Sequence, residues 1–153
     1  MSASPTPPSR DRYNAAERLL EPNLAVRSDK LAYIDDAGSY TYADLADRVN
    51  RCANALTGLG IAREQRVLLA LYDTIDFPTA FLGAIKAGII PVAVNTLLTT
   101  NDYEYMLRDS RAVALIVSEG VLPVFAAAGK SSRSAARHRQ RRRGQSGRLR
   151  SPI

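Results

Sequence analysis

The sequence predicts an α/β fold that contains part of a parallel sheet, arranged βαβαβ with flanking helices. Three runs of mostly apolar residues have the length of strands, and they are Arg66–Tyr72, Ile89–Val94 and Val113–Val117. Continuous apolar runs are typical of strands that are buried on both faces of a parallel sheet. A longer segment with a helical pattern separates each run from the next, so we expect parallel strands joined by right-handed crossovers.

The first elements precede this sheet. Tyr13–Ala25 has apolar residues at helical spacing, and Pro22 within it is expected to bend or end the helix near Glu21. Leu31–Asp35 and Ser39–Thr41 are short extended segments on either side of a turn with the sequence DAG. This arrangement predicts a β-hairpin.

The clearest helix follows the hairpin. Thr41 with Asp44 three residues later resembles a capping box, which predicts the start of the helix. Apolar residues at spacings of four, four and three predict its buried face, which consists of Leu45, Val49, Ala53 and Leu56. Gly58 and Gly60 are expected to end it.

Three further helices are predicted between and after the strands. Thr74–Ala87 has Pro78 in its first turn and Gly88 just beyond its end, positions where these residues are tolerated or favoured. Thr100 is expected to cap a helix that runs to about Arg108, and 121–128 begins another helix.

The charge divides the chain into two kinds of sequence. Of its 21 basic residues, nine lie from Lys130 onward, where no acidic residue occurs; this leaves 12 basic against 15 acidic residues before it. Residues 1–12 are rich in proline and serine. We therefore expect a disordered lead at 1–12, one folded α/β domain at 13–128, and a disordered arginine-rich tail at 129–153.

Several classes of protein are not supported. No run of about 18 apolar residues is present, which argues against a membrane span, and residues 1–12 lack the apolar segment of a secretory signal. Cys52 is the only cysteine, so the chain cannot form an internal disulfide. This fits a reducing compartment, and we expect a cytoplasmic protein.

Candidate ligand-binding residues follow the strands, because ligands of open parallel sheets bind beyond the carboxyl ends of the strands. The candidates are Asp73–Asp76, Asn95 with Thr96, and Ser118 with Glu119. Asp73 and Asp76 are interpreted as caps of the following helix, because carboxylates there would repel a phosphate. Asn95 is interpreted as a turn-forming residue.

No catalytic, cofactor-binding or metal-binding residue is assigned. Gly129-Lys130-Ser131 resembles the end of a P-loop, but Val124 stands where the motif requires its first glycine. His138 is the only histidine, which leaves no Ser/His/Asp triad, Cys/His pair or zinc site. Cys52 lies near the apolar face of its helix and is interpreted as a small core residue.

Four phrases, in the right order, resemble one enzyme group. They are Tyr13–Ala25 (YNAAERLLEPNLA), Asp29–Leu56, Glu64–Pro78 (EQRVLLALYDTIDFP) and Asp73–Glu119. Together they make residues 13–126 similar to the benzoate-CoA and hydroxybenzoate-CoA ligases, which are adenylate-forming acyl-CoA synthetases. The resemblance implies that residues 13–128 are a truncated AMP-binding N-terminal domain, that is, an incomplete N-terminal subdomain of such an enzyme.

The resemblance implies a two-step reaction in the full-length enzyme. An aromatic carboxylic acid reacts with ATP in the presence of Mg²⁺, releasing pyrophosphate, and the acyl-adenylate is then transferred to the thiol of coenzyme A. The glycine-rich phosphate loop, the aromatic-acid pocket and the catalytic lysine of the family have no counterpart in these 153 residues. We therefore expect a fragment that is inactive and binds none of these cofactors.

The basic tail is consistent with an error of reading frame. If its arginine codons are CGN and residues 134–143 are read one nucleotide later, the codon that begins in His138 encodes Ile or Thr, and the one that begins in Gln140 encodes Ser or Asn. The shifted frame permits L-R-H-V-I-V-S-G-G, a strand followed by a turn of small residues, which also resembles the family at this point. We expect residues 129–153 to be out of frame.

Two other classes of function remain open. One is a small α/β binding module that binds nucleic acid through its basic tail. Salt-dependent binding of nucleic acid that is lost on removal of 130–153 would identify this class. The tail has no aromatic residues for base stacking, which makes this alternative weaker. A fragment that pairs with a full-length subunit is the third class, although an exposed sheet edge favours aggregation over a useful partnership.

Overall fold

The computed structural model describes residues 13–128. The expectations for 1–12 and 129–153, including those for Gly129, Lys130, Ser131 and His138, lie outside the described residues. Every predicted element within 13–128 is confirmed, with bounds that differ by no more than two residues. The elements are α1 (Ala15–Arg27), β1 (Leu31–Asp35), β2 (Gly38–Thr41), α2 (Tyr42–Gly58), β3 (Arg66–Ala70), α3 (Asp76–Lys86), β4 (Ile90–Ala93), α4 (Thr100–Asp109), β5 (Ala114–Val117), a 3-10 turn (Glu119–Val121) and α5 (122–128).

Helix α1 does not end near Glu21, where Pro22 was expected to bend or end it. The helix continues through Pro22 to Arg27. Asn23, which is buried, donates from Nδ2 to the Leu19 carbonyl at 2.6 Å and accepts from Arg27 Nε at 2.6 Å. These bonds, together with packing of α1 on α2 and α3, offset the backbone hydrogen bond that proline removes.

Helices α2 and α4 both begin with a capping box. At α2 the Thr41 hydroxyl accepts from the Asp44 N–H at 3.1 Å, and an Asp44 carboxylate oxygen accepts from the Thr41 N–H at 2.9 Å. The same reciprocal pair forms between Thr99 and Asp102 at the start of α4, so the cap lies one residue before the predicted Thr100.

The main sheet has three parallel strands in the order β4-β3-β5, which confirms the predicted parallel βαβαβ unit. In the central strand, Val67 lies opposite Pro91 of β4 on one side and Ala114 of β5 on the other. The four residues from Val67 to Ala70 have no exposed surface. The hairpin β1-β2 forms a separate antiparallel pair.

Helices cover both faces of the sheet. On one face, Val67 and Leu69 pack with α2 and α3 through residues such as Leu56 and Ala84. On the other face, side chains from β3 pack with α4 and α5; the residues are Leu68, Ala70, Tyr103, Val121, Phe125 and Ala128. A third cluster joins α1, the hairpin and α2, and contains Leu20, Leu45, Ala46, Val49 and Ile75.

Helices α2 and α3 approach most closely where Gly83 meets Cys52. A Cβ atom added at Gly83 would lie 2.8 Å from both Cβ and Sγ of Cys52, and 3.3 Å from the Val49 carbonyl oxygen. Real Cβ atoms do not approach other atoms so closely. The spacing of the two helices therefore depends on glycine at this position.

We expect Gly83→Ala to lower the free energy of unfolding by about 1–3 kcal/mol, because overpacking displaces neighbouring atoms. Gly58→Ala is the matched control, since a Cβ there meets nothing within 4 Å. Urea denaturation of the full chain measures both. An equal effect of the two substitutions would contradict close packing at Gly83.

Candidate functional site

A groove of about 450 Å³ lies at the carboxyl edge of the sheet, beside the end of β5. We refer to it as the carboxyl-edge groove. Its lining comes from α2, the segment after β3, α3, β5 and the turn after β5, and consists of Cys52, Leu71, Thr74, Asp76, Thr79, Ala80, Ile116, Val117, Ser118 and Glu119. The groove therefore lies where the parallel sheet was expected to bind a ligand.

Two of the three predicted candidate segments meet in this groove. Thr74 and Asp76 come from the segment after β3, and Ser118 and Glu119 from the segment after β5. The Ser118 hydroxyl accepts from the Tyr72 N–H at 3.0 Å, which ties the ends of the two strands together.

Asn95 and Thr96 do not line the groove. They follow β4, which lies on the opposite side of β3 from β5. The Asn95 side-chain oxygen accepts from the Leu97 N–H at 2.8 Å, and its carbonyl accepts from the Tyr103 hydroxyl at 2.7 Å. The interpretation of Asn95 as a turn-forming residue is confirmed.

The prediction that Asp73 and Asp76 cap helix α3 is wrong. Ile75 occupies the N-cap position, and no side chain of this segment caps the helix. The Ile75 N–H instead donates to Asp35 Oδ2 at 2.8 Å, across 40 residues of sequence. Asp76, in the first turn, is largely exposed and lies 4.0 Å from the Arg48 guanidinium.

Asp35 bonds with both of its carboxylate oxygens. Oδ1 accepts from the backbone N–H groups of Ala37 and Gly38 at 2.9 and 3.0 Å within the hairpin turn, while Oδ2 accepts from the Ile75 N–H. The bond from Ile75, followed by those within the turn and by the charge of Arg48, lowers the pKa of Asp35 below its usual value. An aspartate before a turn predicts the local bonds, but nothing in the sequence indicates the distant one.

The groove contains two side chains of chemical interest. Cys52 is half-buried and packs against the cluster between the sheet and α2–α3, and burial raises the pKa of its thiol. It therefore has the character of a core residue, as predicted, and not of an activated thiolate. The Thr79 hydroxyl oxygen is buried without a hydrogen-bond partner among the described residues.

The chemistry of the groove does not suit a phosphate group. Asp76 and Glu119 contribute carboxylates, and its other polar groups are hydroxyls. Residues 13–128 contain no cluster of three or more potential metal ligands. In the same range, no helix has both the length and the apolarity needed to cross a membrane.

The sequence and the fold agree with one enzyme family. The sequence profile of the family described as AMP-binding enzyme matches residues 20–149. The chain belongs to this family.

Two relatives with high identity are aryl-CoA ligases. A benzoate–CoA ligase from Thauera aromatica is 59% identical over 128 residues, which covers 80% of this chain and 24% of the relative. A 4-hydroxybenzoate–CoA/benzoate–CoA ligase from Rhodopseudomonas palustris is 46% identical over 119 residues, covering 77% and 22%. The chain thus spans about a quarter of the length of these relatives.

A solved structure supports the same placement. The benzoate CoA ligase from Burkholderia xenovorans LB400 superposes with a TM-score of 0.75 and 47% identity, over 78% of this chain and 24% of that one. The described residues therefore have the fold of an N-terminal part of an adenylate-forming enzyme.

We expect Asp35→Asn to destabilise the chain at neutral pH, because an amide is a weaker acceptor for the Ile75 N–H than a carboxylate. The pKa of Asp35 is lowered by folding, so its contribution is present above the unfolded-state pKa of about 3.9 and is lost as the pH falls through the folded-state value. The stability difference between variant and wild type should therefore shrink on acidification.

Thermal unfolding between pH 7 and pH 3 measures this difference, and Asp36→Asn, at the exposed neighbour, is the control. The lowered pKa values of Asp44 and Asp102 affect the wild type and both variants alike, so their contributions cancel in the comparison. An Asp35→Asn effect that is independent of pH, or equal to that of Asp36→Asn, would contradict the proposed role of the carboxylate.

Proposed function

We propose that this chain is the N-terminal portion of an ATP-dependent aryl-CoA ligase. The complete enzyme would join an aromatic carboxylate to coenzyme A and convert ATP to AMP and pyrophosphate. The observation that carries this proposal is the 59% identity to a benzoate–CoA ligase over 128 residues, which covers 80% of this chain. Benzoate and hydroxybenzoates are the proposed acids, because the Thauera and Rhodopseudomonas relatives are named for them.

The described residues do not fit the cofactors of this reaction. The carboxyl-edge groove has two carboxylates, Asp76 and Glu119, where a nucleotide would need backbone N–H groups and cations. No step of the reaction is therefore assigned to residues of this chain. We propose that they form a supporting layer, that ATP, Mg²⁺, CoA and the acid bind to parts outside these 153 residues, and that the protein is cytoplasmic.

The purified chain is expected to show no exchange of pyrophosphate into ATP that depends on benzoate or 4-hydroxybenzoate. The full-length Thauera aromatica ligase, assayed in parallel, provides the positive control. Exchange by the chain that requires the acid would overturn the proposal that it is inactive alone.

A chimera tests the proposed enzyme class directly. Residues 13–128 are substituted for the matching segment of the Thauera aromatica ligase, and benzoate-dependent AMP formation is measured. Because the segment supplies support and no catalytic group, the chimera should remain active. A folded, soluble chimera without activity would contradict the assignment to this class of ligase.

We also propose that residues 129–153 are read out of frame. The support is the sequence itself, since nine basic residues and no acidic ones follow directly on an α/β pattern. Resequencing the gene from codon 120 to beyond the present stop tests it. A single-base change that restores L-R-H-V-I-V-S-G-G and a downstream phosphate loop supports the proposal, whereas a frame that stands as written contradicts it.

A further inference from the structure

A second groove, of about 440 Å³, lies at the amino edge of the sheet. We refer to it as the amino-edge groove. Its lining comes from the first residue of β3, from β4, and from the end of α4 with the two residues after it, and consists of Arg66, Val92, Asp109, Ser110 and Arg111. Two guanidinium groups therefore line this groove, whereas the carboxyl-edge groove has two carboxylates.

The backbone holds the two arginines close together. Arg66 begins β3, and by the alternation of a strand its side chain lies on the same face as Leu68 and Ala70, which pack against α4 and α5. The Arg66 carbonyl accepts from the N–H of Val113, two residues after Arg111, at 2.9 Å. The end of α4 is therefore fixed beside the start of β3.

Neither arginine is neutralised by a carboxylate within residues 13–128. Both are exposed, and the ion pairs in this range are those of Arg48 with Asp76 and of Arg51 with Asp47. Asp109 lines the same groove without forming an ion pair with either guanidinium group. The amino-edge groove therefore has two cations that are available to an anionic ligand.

The electrostatics of helix α4 do not account for these arginines. Basic residues complement the partial negative charge at the end of a helix, and Arg108 in the last turn of α4 has this role. Arg111 lies beyond the C-cap Ser110 and has a φ of 54°. This left-handed conformation is typical of glycine at that position. Because the backbone disfavours arginine there, what Arg111 contributes is its side chain.

The polar groups of the groove suit a phosphate. A guanidinium group binds phosphate oxygens through two parallel N–H···O bonds, and two such groups match the charge of a dianion. The Ser110 hydroxyl accepts from the Ala112 N–H at 3.3 Å, so its own proton is available to donate to the ligand. The volume of the groove also accommodates a small organic group attached to the phosphate.

We propose that the amino-edge groove binds a small phosphate monoester, with the phosphate between the guanidinium groups of Arg66 and Arg111. Val92 is the one apolar residue among the described residues that line the groove, so an adenine ring has no surface to pack on. Asp109 and the exposed Glu64 interrupt the positive charge that a nucleic acid or a membrane would need. The proposal goes beyond the ligase assignment and does not depend on it.

The test uses the full chain with inorganic phosphate as the probe. The amide NMR signals of Ser110, Arg111 and Ala112 should shift to saturation at constant ionic strength, and the affinity should fall as salt is added. Because the readout is specific to these residues, it excludes phosphate that is attracted by the arginines of 129–153.

Arg66→Gln should weaken phosphate binding at least about fivefold, because it removes one of the two charge-assisted contacts. Arg108→Gln is the matched control, since Arg108 is exposed on α4 and does not line the groove. The control should change the affinity less than about twofold, because water and salt screen an exposed charge.

Two further variants separate binding from folding. Arg111→Gly relieves the left-handed backbone, so the midpoint of urea unfolding should not fall, while phosphate binding weakens at least about fivefold. Asp109→Asn removes the opposing charge and should tighten binding roughly threefold, a change that a misfolded variant would not produce.

Shifts that fail to saturate, or that sodium chloride reproduces at the same ionic strength, would overturn the proposal. Equal losses in Arg66→Gln and Arg108→Gln, or no tightening in Asp109→Asn, would do the same. Vesicles of phosphatidic acid in phosphatidylcholine test the other source of a phosphate group. Cosedimentation that requires Arg66 would assign the groove to a lipid headgroup and overturn the small-molecule ligand. None of these measurements involves acyl-adenylate formation, so failure here is distinguishable from failure of the ligase proposal.

Discussion

The burial of strand β3 is the constraint on which the rest of this structure depends. Four consecutive residues without exposed surface require apolar partners on both faces and hydrogen-bonding strands on both sides. Helices α2 and α3 meet the requirement on one face, and α4 and α5 on the other. On the first of these faces, the close contact between α2 and α3 needs glycine at position 83.

Much of this fold is readable from the sequence because its signals are local. Continuous apolar runs indicate buried parallel strands, and the capping box of Thr41 and Asp44 indicates where α2 begins. The wrong predictions concern interactions between distant segments. Helix α1 continues past Pro22 with the support of Asn23 and of tertiary packing. At the start of α3, the N–H of the N-cap residue Ile75 bonds to Asp35 of the hairpin, and neither Asp73 nor Asp76 caps the helix.

The candidate site was likewise predictable from the sequence only in part. The rule for parallel sheets places Thr74, Asp76, Ser118 and Glu119 at one edge, and the structure brings them together in the carboxyl-edge groove. That rule does not specify which neighbouring strands share a groove, so the exclusion of Asn95 depends on the strand order. The carboxylates of Asp76 and Glu119 in the groove would repel a triphosphate. The family assignment therefore rests on sequence identity and fold, and the site contributes a negative result about this segment.

The bond between Asp35 and the Ile75 N–H also has a consequence for how the domain folds. It closes a loop of 40 residues, and the entropic cost of such a closure cannot be recovered by one hydrogen bond. The bond can form only together with the packing of α1, the hairpin and α2, in which Ile75 is itself buried. The first turn of α3, and with it one wall of the groove, is therefore coupled to the docking of the hairpin on the domain.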